Sequence, residues 1–207
     1  MLKHVRMTVR IRRSRGPAIA GLAAAALLAP AAGHAQNITY SQVMFGVLAH
    51  DAHFLGGKEH GVDVNPEVIF QSPIDDATMM SVPPAFRWMV QPRPTLGAVI
   101  NTSGYTDQAY LGGTWTWQLA SDLFRPDDGI TFSFFFGPGV NDGEIHSNQA
   151  DRKNLGSNIL FRESFELGYR INPVWQVSAY MDHISNGGLA KYNQSINNVG
   201  GRVGYAF

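Results

Sequence analysis

Residues 161–171 of the chain carry two kinds of side chain in alternation. Most odd-numbered positions hold Phe, Leu, Tyr or Ile, whereas Arg162, Glu166 and Arg170 lie between them. Because successive side chains of a β-strand point to opposite faces, this segment would present one apolar face and one charged face. A strand of a soluble protein rarely opposes its apolar residues with buried charges. A transmembrane β-barrel does so routinely, since its outer surface contacts lipid and its interior is polar.

The same alternation recurs in segments of about ten residues, separated by clusters of Gly, Pro, Asn and Asp. No segment after the N-terminal region approaches the roughly 20 apolar residues that a transmembrane helix needs. The pattern predicts an all-β fold, an eight-stranded antiparallel transmembrane outer-membrane β-barrel. The expected strands are 41–50, 61–71, 85–102, 108–120, 129–138, 157–171, 174–186 and 196–207. The third is poorly defined around Pro92 and Pro94, and the segment Gln71 to Pro84 has no assigned role.

The N-terminal region has the composition of a secretion signal. Six Lys and Arg residues precede an Ala- and Leu-rich stretch at positions 18–32, and Gly33-His34-Ala35 suits cleavage before Gln36. The apolar stretch is short for a membrane span and is interrupted at Pro30. We therefore expect a signal peptide at 1–35 and a barrel domain at 36–207.

The charge balance and the absence of cysteine narrow the range of partners. The whole chain has 16 basic and 16 acidic residues. Without the six cations of the signal, ten basic residues face 16 acidic ones, a net charge of −6. This balance argues against a nucleic-acid partner. Without cysteine, neither disulfides nor thiolate metal sites can form.

The final strand ends on Phe207, after alternating residues that include Val203 and Tyr205. Outer-membrane barrels of Gram-negative bacteria typically end in this way, which predicts recognition by the barrel-assembly machinery. An even number of strands puts both termini in the periplasm, so the odd strands run outward. The outer end of the seventh strand then lies in the outer leaflet, which is lipopolysaccharide. The sequence leaves open whether the barrel is a monomer or a homodimer.

The outer end of the seventh strand carries a histidine and a serine on one face. His183 and Ser185 are two residues apart, and the residues that share their face at 175, 177, 179 and 181 are apolar. Neutral imidazole can remove the proton that keeps a serine hydroxyl from acting as a nucleophile. Asn186, Gly187 and Gly188 follow, and their N–H groups suit an oxyanion hole. The arrangement favours an esterase that acts on a lipid.

The motif His-Ile-Ser-Asn-Gly-Gly-Leu at 183–189, with Asn193 and the C-terminal residues 201–207, resembles the PagL family of outer-membrane lipid A 3-O-deacylases. The likeness extends more loosely to 110–115, 155–157 and 161–169. It implies hydrolysis of the ester-linked 3-hydroxyacyl chain at the 3-position of lipid A. It also implies that Ser185 is the nucleophile, His183 the base, Asn186 and Gly188 part of the oxyanion site, and Asn193 a neighbour of the substrate. No metal or other cofactor is implied.

One position departs from the family. Its best-known form completes a catalytic triad with a Glu on the last strand, where this chain has Asn197. Asn can orient imidazole by accepting a hydrogen bond, but it cannot stabilise imidazolium by charge. If Ser185 pairs with Ser195 across the last hairpin, Asn197 lies opposite His183.

Glu163 is an alternative acid. It interrupts the outward apolar face of the sixth strand, where an unpaired carboxylate at membrane depth is costly. A hairpin that turns at Asn172-Pro173 would put Glu163 opposite His183, or Glu163 could instead meet only water and lipid headgroups. Asp182 is nearer in sequence but is expected to point into the lumen.

Other interpretations stay open at this point. A non-enzymatic small barrel, serving adhesion, envelope stability or passage of small apolar solutes, explains the strands and the terminal Phe equally well. It does not explain why His183, Ser185 and Asn197 face lipid. Several polar residues are expected to be solvated in outer loops: His50, Asp51, His53, Glu59 and His60. Three cations in outer loops are placed to meet either water or the phosphates of lipid A: Arg152, Lys153 and Lys191.

Overall fold

The computed structural model describes residues 40–207, so the expected signal peptide at 1–35 lies outside the described residues. Eight antiparallel strands form a closed barrel in which each strand pairs with its sequence neighbours and the first pairs with the last. The strands are β1 Gln42–Ala49, β2 Val62–Ile69, β3 Arg93–Asn101, β4 Gln108–Ser121, β5 Gly129–Asn141, β6 Ile159–Arg170, β7 Trp175–Ser185 and β8 Ile196–Ala206. The predicted eight-stranded barrel is confirmed.

The two faces of each strand form the two surfaces of the barrel. In β1 the burial alternates strictly, and the outward Phe45 and Val47 are both more than half exposed. The inward face is polar and holds paired charges. Arg162 is fully buried and lies 3.0 Å from Asp182, and its guanidinium also donates to Tyr180 Oη and Gln108 Oε1 at 2.9 and 2.7 Å. The charges that oppose the apolar residues in sequence are therefore compensated inside the lumen.

The connection between β2 and β3 corrects the prediction of a strand over 85–102. Residues Pro84–Phe86 form a 3₁₀ turn, Arg87–Val90 form an α-helical turn, and the strand begins only at Arg93. A further short helix, Asp76–Ser81, lies earlier in the connection, and Asp75 caps it by accepting the Thr78 N–H at 2.7 Å. The run Phe86–Val90, which lies beside prolines and is apolar except for Arg87, is too short for its periodicity to separate strand from helix. Within residues 40–207, no helix is both long and apolar enough to cross a membrane.

The loop after β1 is folded into the barrel mouth, contrary to the expectation of a solvated loop. His50, Asp51 and Glu59 are buried, whereas His53 and His60 are exposed. His50 Nδ1 lies 2.8 Å from Asp63 Oδ2, and His50 Nε2 lies 3.1 Å from Glu59 Oε2. Sequence pattern could not reveal this, because the partners come from separate parts of the chain.

The acidic partners of His50 decide its charge. Burial lowers the pKa of His50, but the hydrogen bonds and negative charges of Asp63 and Glu59 outweigh it and raise the pKa to about 9. Burial raises the pKa of Glu59, yet hydrogen bonds from His50, the Lys153 N–H and Thr106 hold it below its ordinary value. We infer that an imidazolium lies between two carboxylates at the outer end of the lumen.

One of the three cations expected in outer loops is buried in the cluster around His50. Lys153 is buried, with Nζ 3.3 Å from Asp51 Oδ1 and donating to the Gly56 carbonyl at 3.0 Å. Arg152 stacks over the Tyr105 ring, and Lys191 is exposed. Lys153 therefore joins loops and is not available to a phosphate. Among residues 40–207, no group of three His, Asp or Glu side chains is arranged to hold a metal ion.

Candidate active site

His183 lies on the outer face of β7, between a residue of β6 and a residue of β8. Its cross-strand neighbours are Glu163 and Asn197, as both proposed hairpin registers predicted. The β6–β7 register is fixed by the turn, where Asn172 Oδ1 accepts the N–H groups of Val174 and Trp175 at 2.9 Å each. The alternation of polarity agrees with this register, because a slip of one residue between β6 and β7 would turn the charged face of one strand toward lipid.

A hydrogen bond joins the histidine to the asparagine on the outer surface. His183 Nδ1 lies 2.7 Å from Asn197 Oδ1, and Asn197 is largely buried beneath its neighbours. An amide oxygen can only accept, so this contact places the proton of neutral imidazole on Nδ1. Nε2 has no hydrogen-bond partner within residues 40–207 and keeps the lone pair that a general base needs.

Ser185 is the last residue of β7 and shares the outward face with His183. It is half-buried and lies opposite Phe161 of β6. Its hydroxyl has no hydrogen-bond partner in the described part of the chain, and no hydrogen bond joins it to His183. Same-face neighbours on a strand have Cα atoms about 6.6 Å apart, within reach of a rotamer change.

Glu163 and Asp182, the two carboxylates nearest to His183 in the fold, have different positions. Glu163 is half-buried on the outward face, and in the described structure it makes neither a hydrogen bond nor an ion pair with the imidazole. Asp182 is fully buried in the lumen, where it pairs with Arg162 and accepts from Asn198 Nδ2 at 3.1 Å. The geometry favours Asn197 as the group that orients His183, and the role of Glu163 stays a prediction.

The Asn186 side chain holds the β7–β8 loop together. Its Nδ2 donates to the carbonyls of Leu155 and Tyr192 at 2.8 and 2.6 Å, and its Oδ1 accepts the Gly188 N–H at 2.9 Å. One Asn186 donor and the Gly188 N–H are thus used within the β7–β8 loop, and the other Asn186 donor is used on the Leu155 carbonyl of the β5–β6 loop. Of the donors expected for the oxyanion, the Gly187 N–H is still available, because it has no hydrogen-bond partner within residues 40–207.

The conformation of the loop explains its two glycines and Asn193. Gly187 and Gly188 have φ of +63° and +83°, a region that residues with a Cβ rarely adopt. Asn193 Oδ1 accepts the Asn186 N–H at 2.9 Å, so Asn193 closes the loop from its far side. The loop presents the Gly187 N–H at the end of the strand that carries Ser185.

An apolar groove of about 320 Å³ lies beside Ser185. Phe161, the cross-strand neighbour of Ser185, forms part of its wall, and Leu189 and Ala190 of the β7–β8 loop form another part. Pro138, Ile159 and Leu160 complete the apolar lining. The groove is suited to an alkyl chain that enters from the lipid.

Comparison with known proteins identifies the family of this chain. Residues 85–206 match the family described as PagL, lipid A 3-O-deacylase, over more than half of the chain. The chain belongs to the PagL family. Lipid A 3-O-deacylases are ester hydrolases, so a PagL-family chain is a carboxylic ester hydrolase. The match includes the strands that carry His183, Ser185 and Asn197.

Several solved structures resemble this PagL-family chain. The crystal structure of the outer membrane enzyme PagL is 16% identical, with 80% of this chain and 98% of that chain covered and a TM-score of 0.54. A structure from the de novo design of transmembrane β-barrels is 14% identical, with 82% and 96% covered and a TM-score of 0.48. The N-terminal β-barrel domain of Pseudomonas aeruginosa OprF is 10% identical, with 82% and 98% covered and a TM-score of 0.45. Curated protein sequences give no significant match.

Two residues that shape the site of this PagL-family barrel were not singled out from sequence. Gly156 has φ +77°, and a Cβ there would overlap the Tyr192 carbonyl oxygen, so only glycine lets the β5–β6 loop meet the β7–β8 loop. Gln194 joins the same loops, because its Oε1 accepts the Asn154 N–H at 2.9 Å. The run Leu155-Gly156-Ser157 was the available signal for the first residue; nothing in the sequence marks the second.

Proposed function

We propose that the protein removes the ester-linked 3-hydroxyacyl chain from the 3-position of lipid A, with Ser185 as nucleophile and His183 as base. The observation that carries the proposal is the 2.7 Å contact between His183 Nδ1 and Asn197 Oδ1 on the lipid-facing surface, next to a free serine hydroxyl. Membership in a family of lipid A 3-O-deacylases supports lipid A as the substrate and the outer membrane as the location.

The acylation step uses the free nitrogen of the oriented imidazole. His183 Nε2 takes the proton of Ser185 Oγ as the oxygen attacks the ester carbonyl carbon. The carbonyl oxygen becomes an oxyanion, for which the Gly187 N–H is the available donor. When the intermediate collapses, the bond to the sugar oxygen breaks and His183 returns its proton to that oxygen. The sugar hydroxyl leaves, and the acyl chain stays on Ser185.

Deacylation repeats the sequence with water. His183 Nε2 removes a proton from the water that attacks the acyl-enzyme, and then protonates Ser185 Oγ as the hydroxy fatty acid leaves. Throughout both steps the Asn197 amide keeps the second imidazole nitrogen protonated. We assign the groove beside Phe161 and Leu189 to the departing acyl chain, since its lining is mostly apolar and includes Phe161, which lies opposite Ser185, and Asn186, which follows Ser185 in the chain.

The remaining features fit a protein delivered to the outer membrane. We propose that residues 1–35 are a signal peptide and that residues 36–207 are the mature barrel domain. We also propose that the barrel-assembly machinery recognises Phe207. With Lys153 buried, the half-buried Arg152 and the exposed Lys191, the latter in the loop that also carries Leu189, are the outer cations left to contact a lipid A phosphate. The oligomeric state stays open between monomer and homodimer.

Mass spectrometry of lipid A from cells that express the protein tests the proposal. Ser185→Ala and His183→Ala should each reduce loss of the 3-hydroxyacyl chain by ~10⁴-fold, because serine and base act as a unit. Ser103→Ala, which alters an exposed serine of the β3–β4 loop, should leave the reaction unchanged. Heat-modifiable migration would show that each barrel is folded. Unaltered lipid A with the wild-type barrel would support a non-enzymatic barrel instead.

A further inference from the structure

The connection between β2 and β3, residues 71–92, lies at the end of the barrel opposite to Ser185. This is the end where the two terminal strands finish, with the Ser41 N–H donating to the Phe207 carbonyl at 3.1 Å. The Gln71 N–H donates to Ser41 Oγ at 3.2 Å, which ties the start of the connection to the same rim. We refer to residues 71–92 as the β2–β3 segment.

The β2–β3 segment has a defined internal structure. Besides its Asp75 cap, Arg87 Nε donates to the Val82 carbonyl at 3.0 Å, and Gln91 Nε2 donates to the Ile74 carbonyl at 3.2 Å. These bonds join the helix Asp76–Ser81 to the helical turn Arg87–Val90. The backbone that carries the apolar side chains of the segment is therefore held together by side-chain hydrogen bonds.

The end of this segment packs against the outer wall of the barrel. Trp115, on the outward face of β4, donates its indole N–H to the Met89 carbonyl at 3.1 Å. Pro92 covers Gly113 on the same face, where a Cβ would come within 2.9 Å of the proline ring. Arg93 points the other way, into the lumen, and donates to Gln42 Oε1 at 2.7 Å. The segment thus continues the lipid-facing surface.

Three large apolar side chains of the segment are left uncovered. Met80, Phe86 and Met89 have 70%, 56% and 49% of their surface exposed, although Met79 on the same helix is buried. Apolar surface in such a concentration marks a contact with lipid or with another molecule. Because these side chains adjoin the outward wall of the barrel at Trp115, and the outward wall of an outer-membrane barrel faces lipid, lipid is the occupant that continues from their surroundings.

We propose that the β2–β3 segment lies in the interface of the membrane leaflet opposite to Ser185, with Met80, Phe86 and Met89 among phospholipid acyl chains. Unbranched, flexible Met side chains suit a disordered environment, and indole groups favour the membrane interface. The segment then fixes the depth of the barrel and holds Ser185 at one level of the other leaflet. The inference depends on the lipid-facing wall and is independent of the enzymatic activity.

Site-directed fluorescence can test this placement, because the chain contains no cysteine. Met80→Cys, Phe86→Cys and Met89→Cys are labelled singly with an environment-sensitive fluorophore in barrels folded into phosphatidylcholine vesicles. Leu111→Cys, on the exposed outer wall of β4, is the lipid reference. Pro126→Cys, in the exposed β4–β5 turn at the same end, is the aqueous reference.

We expect the three labels to show the blue-shifted emission of position 111, quenching by spin-labelled lipid, and no quenching by iodide. Emission and iodide quenching like those at position 126 would overturn the proposal and leave the segment in water. Protection from both quenchers would overturn it in favour of a contact with a second copy or another protein. The three positions are independent, so a variant that fails to fold is replaced by the other two.

Discussion

At the scale of single residues, the unusual feature is an amide where the family's best-known form has a carboxylate. We propose that Asn197 performs one of the two tasks of that acid, since its Oδ1 lies 2.7 Å from His183 Nδ1 and would hold the imidazole proton there. It carries no charge with which to stabilise the imidazolium formed during each proton transfer. The barrel should therefore be a working but slow hydrolase.

Replacement of the amide by a carboxylate tests this division of tasks. A hydrogen bond to a charged partner contributes about 1.4 kcal/mol more than a neutral one, so Asn197→Glu should raise the deacylation rate about tenfold. Glu163→Gln should change the rate little, because in the described structure Glu163 makes neither a hydrogen bond nor an ion pair with the imidazole. The measurement is release of hydroxy fatty acid in detergent micelles. If Glu163→Gln were nearly as damaging as His183→Ala, Glu163 would be the acid.

At the scale of strands and loops, sequence was informative where two neighbouring segments both alternate. The β6–β7 hairpin could be predicted residue by residue, because only one register keeps Arg162 and Asp182 inside and the Asn172 turn allows it. The β2–β3 segment could not, because its apolar runs are too short to show a period. The buried state of His50 could not either, since it depends on tertiary contacts that no local pattern encodes.

The contact between the β5–β6 and β7–β8 loops gives a prediction at this scale. Gly156→Ala should lower the deacylation rate about 100-fold, because the added methyl group pushes the Tyr192 carbonyl away and misplaces the loop that Asn186 holds. Gly104→Ala is the matched control: Gly104 has the same φ of +77°, but nothing lies within 4 Å of its added Cβ. It should lose about 1 kcal/mol of stability and no activity. Equal activity losses in both variants would refute the loop contact.

At the scale of the whole molecule, the cluster around His50 joins loops from distant parts of the chain. Glu59 accepts from Thr106 Oγ1 at 2.8 Å and from the Lys153 N–H at 2.9 Å, so three outer loops meet at one carboxylate. The Ala52 N–H donates to the Asn197 carbonyl at 2.7 Å, which connects this cluster to the strand that orients His183. Loss of charge on His50 should therefore loosen the outer end as a unit.

The pH dependence of stability follows from the pKa of His50. This pKa is about 9 in the barrel and 6.5 in the unfolded chain, so protonation favours the folded state. Its contribution, on the order of 3 kcal/mol, is complete below pH 6.5 and is lost as the pH rises through 9. Urea unfolding of the barrel in lipid vesicles should show this loss in the wild type and in His53→Gln, an exposed neighbour, but not in His50→Gln. An identical pH dependence in His50→Gln would contradict the role of the cluster.

The outward position of His183 and Ser185 has a consequence for how this enzyme meets its substrate. The lumen is filled with paired charges, so under the proposed mechanism the ester reaches Ser185 from the side, by two-dimensional diffusion within the membrane. The rate of such an enzyme saturates with the mole fraction of substrate in the membrane surface. Once the lipid has partitioned into the membrane, the bulk concentration of substrate no longer affects the rate. Inert detergent or phospholipid then acts as a diluent that slows turnover without binding the site. A membrane remodelled to contain more of the substrate would accelerate its own deacylation with no change in the amount of enzyme.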